Sequence, residues 1–67
     1  MSPRMEYFLT EAAKCEPGKG MPFSKEWSRI AHSATRKGYG WILSSVFAVF
    51  IINDAGRAAL RAREVTP

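Results

Sequence analysis

One predicted helix carries basic side chains at intervals that place them in a row. The row comprises Lys25, Arg29, His32 and Arg36. At about 100° per residue, the spacing i, i+4, i+7 and i+11 brings all four onto one strip of an α-helix. Such a strip can follow the phosphates of a duplex groove, and the competing interpretation is a solvated outer face. Nucleic-acid binding is therefore the first chemistry that the sequence suggests.

Catalytic and metal-binding chemistry has little support in the residue types present. The chain has one cysteine, Cys15, and one histidine, His32. A lone cysteine can form no intrachain disulfide, and one cysteine with one histidine cannot complete a structural zinc site. The segment G-K-G-M lacks the spacing of a phosphate-binding loop and the Lys-Ser/Thr pair that such a loop needs. We therefore expect a protein that is not an enzyme, with no metal, no cofactor and no small-molecule substrate.

The composition limits the chain to one small basic domain. It has 67 residues, a formal net charge of +4 and a pI near 9.7. This charge favours acidic partners, such as nucleic acid, an anionic membrane surface or an acidic protein. A domain of this size buries only about 60% of its unfolded surface, so self-association or a partner is expected to add stability. The N-terminal residues lack the pattern of a signal peptide, which predicts a cytoplasmic protein.

Two helical faces position the apolar side chains for a core. The first is Met5, Phe8, Leu9 and Ala12, and the second is Trp27, Ile30, Ala31 and Ala34. Both sets recur at helical spacing, and the second lies opposite the basic row. Ser2, Ser24 and Asn53 are the expected N-caps, and Gly38 is the expected helix stop. The predicted segments are a helix from Pro3 to Lys14, an extended piece Met21–Phe23, a helix from Lys25 to Lys37 and a helix from Asp54 to about Glu64.

An uncharged apolar stretch, Trp41 to Ile52, separates the last two predicted helices. It is rich in Val, Ile, Phe and Trp and is shorter than the roughly 18 to 20 residues that a spanning helix needs. We therefore predict two antiparallel strands, 41–43 and 46–52, around Ser44-Ser45, with a membrane segment as the alternative. The second strand is apolar on both faces, so one face is expected to meet a partner. The residues expected at that interface are Val46, Phe47, Val49, Phe50 and Ile51.

These elements predict a single α+β domain over residues 1–67, in the order helix, short extended segment, helix, β-hairpin, helix. The run N-D-A-G-R-A-A-L after an apolar strand resembles the wing-to-helix segment of bacterial winged helix-turn-helix proteins, including MarR-like regulators. The preceding S-A-T-R-K-G-Y-G-W-I resembles the exit of their recognition helix. The resemblance covers about residues 24–60. The chain departs from that family in having one helix between Pro22 and Trp41 and almost no wing.

The resemblance implies that the helix from about residue 24 to residue 38 enters the major groove of duplex DNA. The residues that it assigns to DNA are Lys25, Arg29, His32, Ser33, Arg36 and Lys37, the lysines at phosphates and the others near base edges. The function expected is a small DNA-binding protein, a transcriptional regulator acting as a homodimer. The alternative is a protein-interaction module, such as a phage-type or accessory inhibitor, that uses the apolar strand 46–52.

Overall fold

The computed structural model describes residues 2–15, 19–44 and 48–64. These residues form three α-helices and three strands, in the α+β class and the order predicted. The elements are α1 (Pro3–Ala13), β1 (Met21–Pro22), a 3-10 turn (Lys25–Trp27), α2 (Ser28–Arg36), β2 (Gly40–Ser44), β3 (Val49–Ile52) and α3 (Asp54–Glu64). Within these ranges, no helix is long and apolar enough to cross a bilayer. In the described parts of the apolar stretch, residues 41–44 and 49–52 lie in antiparallel strands and Ala48 lies in a turn.

The three strands form one antiparallel sheet with β3 in the centre, in the order β1-β3-β2. The extended segment before α2 was predicted, but its pairing with β3 was not: Met21 lies opposite Phe50, and Pro22 lies opposite Val49. The predicted start of the second strand was wrong. Ala48 lies in a turn with φ at +46°, and the strand begins one residue later. Val46 and Phe47 lie outside the described residues.

The core forms where α1 packs against the inner face of this sheet. The predicted face of α1 is confirmed, because Met5, Phe8, Leu9 and Ala12 are all buried. The Phe8 ring meets the Phe50 ring edge to face at 5.0 Å between centroids, a favoured aromatic arrangement. The predicted cap is also confirmed, because the Ser2 hydroxyl accepts a 3.2 Å hydrogen bond from the Met5 N–H.

Helix α2 docks onto this core through a narrow stripe of small residues. Ala31 and Ala34 are fully buried, while Trp27 and Ile30 pack against the cluster at its margin. Alanine side chains allow the helix backbone to approach the core closely, so most of the helix circumference stays outside. The predicted N-terminus was wrong in its details. The first turn is 3-10 rather than α-helical, and Ser24 makes no side-chain capping hydrogen bond.

The end of α2 is a Schellman motif that turns the chain directly into β2. The Gly38 N–H donates to the Thr35 carbonyl and the Tyr39 N–H donates to the Ala34 carbonyl, each at 3.0 Å. Gly38 has φ of +83°, a conformation that glycine adopts without penalty. The predicted helix stop is therefore confirmed. The motif ends at Tyr39 and β2 begins at Gly40, so the direction of α2 is coupled to the direction of the sheet.

Asn53 joins the two ends of the hairpin to α3. Its side-chain oxygen accepts a 2.9 Å hydrogen bond from the Gly56 N–H, which confirms the predicted cap, and its amide donates to the Gly38 carbonyl at 2.8 Å. A glycine in the first turn of α3 has a steric reason. A Cβ atom on Gly56 would collide with the Tyr39 carbonyl oxygen and with the Ile52 side chain. The segment N-D-A-G therefore holds the exit of α2, the sheet and α3 in contact.

Candidate nucleic-acid interface

The outer side of α2 and of the 3-10 turn before it forms a continuous polar surface. The side chains of Lys25, Arg29, His32 and Arg36 are exposed there, opposite the buried Ala31 and Ala34. They surround a shallow depression of about 670 Å³. Its complete lining is Lys25, Ser28, Arg29, His32, Ser33 and Arg36. Five of the six residues predicted to contact DNA therefore meet at one place, which we call the α2 basic surface.

Lys37, the sixth predicted residue, lies on the flank of this surface. It borders a second depression beside the start of α1. Ser33 borders both depressions and so connects the flank to the centre. Ser28 was missed in the sequence, although its spacing of three from Lys25 and four from His32 places it in the same row. Ser28 is half-buried, and its hydroxyl adds a hydrogen-bonding group between two cations.

Three cations outside the α2 basic surface already have partners. Lys14 forms a 2.7 Å ion pair with Glu11, and the hydrogen bond and negative charge of that carboxylate raise the pKa of Lys14. Arg57 donates to the Ala13 carbonyl at the C-terminal end of α1, at 3.2 Å. The Arg4 guanidinium lies over the Trp27 ring, 5.0 Å from its centroid. These side chains serve contacts within the fold.

The cations of the α2 basic surface differ from these three. Among the described residues, Lys25, Arg29 and Arg36 have no ion-pair partner, and the one carboxylate on the same segment is the exposed Glu26. Exposed positive charge that is not compensated within the chain attracts an anion without the need to break an existing contact. The α2 basic surface therefore offers a row of free guanidinium and ammonium groups to a polyanion.

The dimensions of α2 match those of a DNA groove. With its side chains an α-helix is about 10–12 Å across, which fits the roughly 12 Å width of the major groove of B-DNA. The nine residues of α2 extend for about 13 Å. From Arg29 to Arg36 the row advances by about 10 Å. With about 3.4 Å between successive base pairs, that length covers roughly three base pairs. One copy of α2 can therefore read only a short sequence.

A second surface, apolar rather than charged, lies on the outer face of the sheet. Trp41 and Leu43 are 47% and 61% exposed there, and Val49 is half-buried. The expectation that Phe50 contacts a partner was wrong, because it is 1% exposed and belongs to the chain's own core. Ile51 lies on the outer side but is only 6% exposed, so it offers little area. The accessible part of the sheet is therefore mainly on β2.

The two residues considered for catalysis or metal binding lie apart. Cys15 is half-buried just after α1, with its Sγ 4.0 Å from the Glu11 carbonyl oxygen, whereas His32 is exposed on α2. Within the part of the chain that the structure describes, no three His, Cys, Asp or Glu side chains are grouped so as to hold a metal ion. The α2 basic surface is thus the site with the clearest chemical character. Comparisons of the chain with protein-family models, curated proteins and solved structures give no match.

Proposed function

We propose that this protein binds duplex DNA through the α2 basic surface and acts as a small transcriptional regulator in the form of a homodimer. The observation that carries the proposal is the set of exposed, uncompensated cations on one side of α2. The proposal extends to a reduced winged-helix architecture. Its support is the direct succession of α2, the β2–β3 hairpin and α3, together with the segment N-D-A-G at the start of α3.

The placement of α2 suits insertion into a groove. Its buried side is alanine, so the helix is held by its backbone proximity to the core while its long side chains extend outward. Arg29 and Arg36 can donate in pairs to guanine edges or phosphates, and His32 and Ser33 add shorter polar groups between them. Lys25 lies at the N-terminal end of the row and Lys37 lies on its flank, positions at which phosphates border a groove.

One copy of α2 covers too few base pairs for high sequence specificity, which is a reason for two copies. Each well-formed bidentate contact discriminates between bases by about 1 to 3 kcal/mol, and one α2 covers only about three base pairs. Two copies related by a two-fold axis read two half-sites, which multiplies the specificity of one chain. A homodimer is therefore part of the proposed function.

Salt dependence of DNA binding tests the proposal directly. Fluorescence anisotropy with labelled duplex DNA is measured over a series of salt concentrations for the wild type and for the double variant Arg29→Ala/Arg36→Ala. Each phosphate contact contributes about −0.9 to the slope of log affinity against log salt, so loss of two contacts flattens the slope by about 1.8. If the arginines read bases instead, each substitution weakens specific binding by about 1 to 3 kcal/mol.

The matched control is Lys14→Ala/Arg61→Ala, which removes two exposed cations away from the α2 basic surface. Both double variants reduce the formal net charge from +4 to +2. We expect the control to retain the wild-type slope, because neither of its residues lies on α2. Equal slopes for the two folded variants, or no binding by the wild type at low salt, contradict the proposal.

The protein-interaction module remains the second candidate function because Trp41 and Leu43 are exposed on the sheet. Exposed large apolar side chains next to each other often mark a protein contact. This candidate predicts that DNA binding is absent and that substitutions on β2, rather than on α2, abolish recognition of the partner. The anisotropy experiment separates the two functions at its first step.

A further inference from the structure

We propose that the homodimer forms by antiparallel pairing of β2 with β2 of a second copy, which joins two three-stranded sheets into one six-stranded sheet. The proposal deepens the dimer part of the proposed function and rests on that part alone. DNA contact by α2 of a single chain does not depend on it.

The two edges of the sheet differ in their capacity to pair. The β1 edge has only two residues, and one of them is Pro22, which has no N–H to donate. The β2 edge has five residues and no proline or charged side chain. Charges and prolines protect many exposed edges, and β2 has neither. Its ladder with β3 is regular from Gly40 to Ile42 and has a bulge between Ile42 and Ser44, so the regular part is the segment open to pairing.

Backbone geometry identifies the groups on β2 that face away from β3. The Asn53 N–H donates to the Tyr39 carbonyl at 2.9 Å, so Tyr39 and Asn53 occupy a hydrogen-bonding position of the ladder, although the Tyr39 N–H itself donates to Ala34. Such pairs alternate along an antiparallel ladder, which makes Trp41 with Ile51 the next one. The N–H and C=O of Ile42 therefore point toward the free edge.

A second copy is the occupant that fits both the edge and its side chains. With a two-fold axis at Ile42, each Ile42 exchanges two hydrogen bonds with its counterpart. A regular ladder about this axis places Trp41 of each chain opposite Leu43 of the other, which lies at the bulge between Ile42 and Ser44. These are the two large apolar side chains exposed on this strand, at 47% and 61%. Their contact removes apolar area from water on both sides of the axis.

The distribution of charge also favours the β2 edge as the place where two copies meet. Each chain has a formal net charge of +4, so two copies repel each other wherever their basic residues meet. The described residues from Gly38 to Ser44 and from Ala48 to Asn53 contain no ionisable group other than the Tyr39 phenol. Two copies can therefore meet along β2 without opposing one α2 basic surface to the other. One strand pair buries much less than the roughly 1,600 Å² of a standard interface, so the dimer is expected to be weak and concentration-dependent.

Sedimentation and amide hydrogen exchange together test the pairing on the full chain. We expect a monomer–dimer equilibrium in which the Ile42 amide is protected from exchange in concentrated solution and exchanges faster on dilution. The variant Leu43→Lys should weaken dimerisation by about tenfold or more, because it removes the apolar contact of Leu43 and adds a positive charge to both copies at the same seam. Tyr7→Lys is the matched control, since Tyr7 is 57% exposed on α1 and the change in charge is the same. We expect this control to dimerise like the wild type.

Three results overturn the edge-paired dimer. They are a wild type that stays monomeric in concentrated solution, a dimer in which the Ile42 amide remains unprotected, and equal weakening by both lysine variants. The DNA-binding titration tests DNA binding by α2, which is independent of the edge pairing. A protected Ile42 without DNA binding leaves this inference intact and contradicts the DNA-binding part of the proposed function. DNA binding by a strict monomer contradicts this inference and the homodimer part, and it leaves DNA binding by α2 intact.

Discussion

Ile51 and Ile52 are neighbours in β3 and almost equally buried, at 6% and 8% exposure, yet they lie on opposite faces of the sheet. Ile52 belongs to the cluster in which all three helices meet the sheet. Ile51 lies on the outer face, in register with Trp41 and beside Gly20. The two residues show that low exposure can have two different causes in one strand.

The two faces of the sheet differ in what would fill the space left by a truncated side chain. On the inner face, helices and strand neighbours enclose the space, so a cavity remains and its lining loses contacts. On the outer face, Trp41 is half-exposed and can move into the space, or solvent can enter it. We therefore expect equal substitutions to have unequal effects on the two faces of the sheet.

Truncation of Phe50 should show the largest effect. Phe50→Ala removes the ring that packs against Phe8, and a fully buried phenylalanine contributes about 3 to 5 kcal/mol to the free energy of unfolding. Val49→Ala, the adjacent outer-face substitution, should lower it by less than about 1.5 kcal/mol. Urea denaturation measures both values.

The inner and outer faces can still be compared if Phe50→Ala does not fold. A chain of 67 residues has a total stability of roughly 3 to 10 kcal/mol, so Phe50→Ala can leave little folded protein. Phe50→Leu is the milder variant and should still destabilise the protein more than Val49→Ala. Similar losses for Phe50→Leu and Val49→Ala would mean that the outer face is covered as completely as the inner one.

The two isoleucines provide the closest test of the comparison. Ile52→Ala should lower the free energy of unfolding by about 2 to 5 kcal/mol, because it opens a cavity in the core. Ile51→Ala loses the same strand propensity but opens a space that its neighbours can fill, so we expect about half that effect. Denaturant midpoints of the two variants, measured in dilute solution, check the order. Equal values would contradict the assignment of Ile51 to an open face.

Local features of this fold were predictable from the sequence. The apolar faces of α1 and α2 follow from helical spacing, and the caps at Ser2 and Asn53 and the stop at Gly38 follow from residue chemistry. The basic row was predictable for the same reason, because residues three and four apart on one helix are neighbours whatever the rest of the chain does.

Features that depend on contacts between distant segments were not predictable. The pairing of β1 with β3 joins residues far apart in the chain, and Met21-Pro22 alone has no signal for it. The run V-F-A-V-F-I-I does not alternate in polarity, so the inward direction of Phe50 could not be distinguished from that of its neighbours. Ala48 carries a positive φ without the glycine or asparagine that usually marks such a turn.

Asn53 tests whether the hairpin and α2 are held together by side-chain bonds. Asn53→Ala removes the cap of α3 and the hydrogen bond to Gly38, and we expect a loss of about 1 to 2 kcal/mol in the free energy of unfolding. Asn53→Ser is the control, since serine keeps a capping oxygen but has no amide to reach Gly38. An intermediate loss for Asn53→Ser assigns part of the effect to the bridge. Identical stability of Asn53→Ser and Asn53→Ala would contradict a role for the cap.

Trp41 should show the smallest effect on the folding of a single chain. It is 47% exposed on the outer face, and Trp41→Thr keeps a residue that favours strands, so we expect less than about 1 kcal/mol in dilute solution. The same substitution should matter more as concentration rises. A dimer stabilises the folded state by mass action, so the thermal midpoint of the wild type should increase with protein concentration. For Trp41→Thr the midpoint should stay nearly constant, because the substitution removes the side chain proposed to contact Leu43 of the second copy. Differential scanning fluorimetry over a dilution series measures both trends. Parallel concentration dependence in the two proteins would show that the outer face near Trp41 takes no part in self-association.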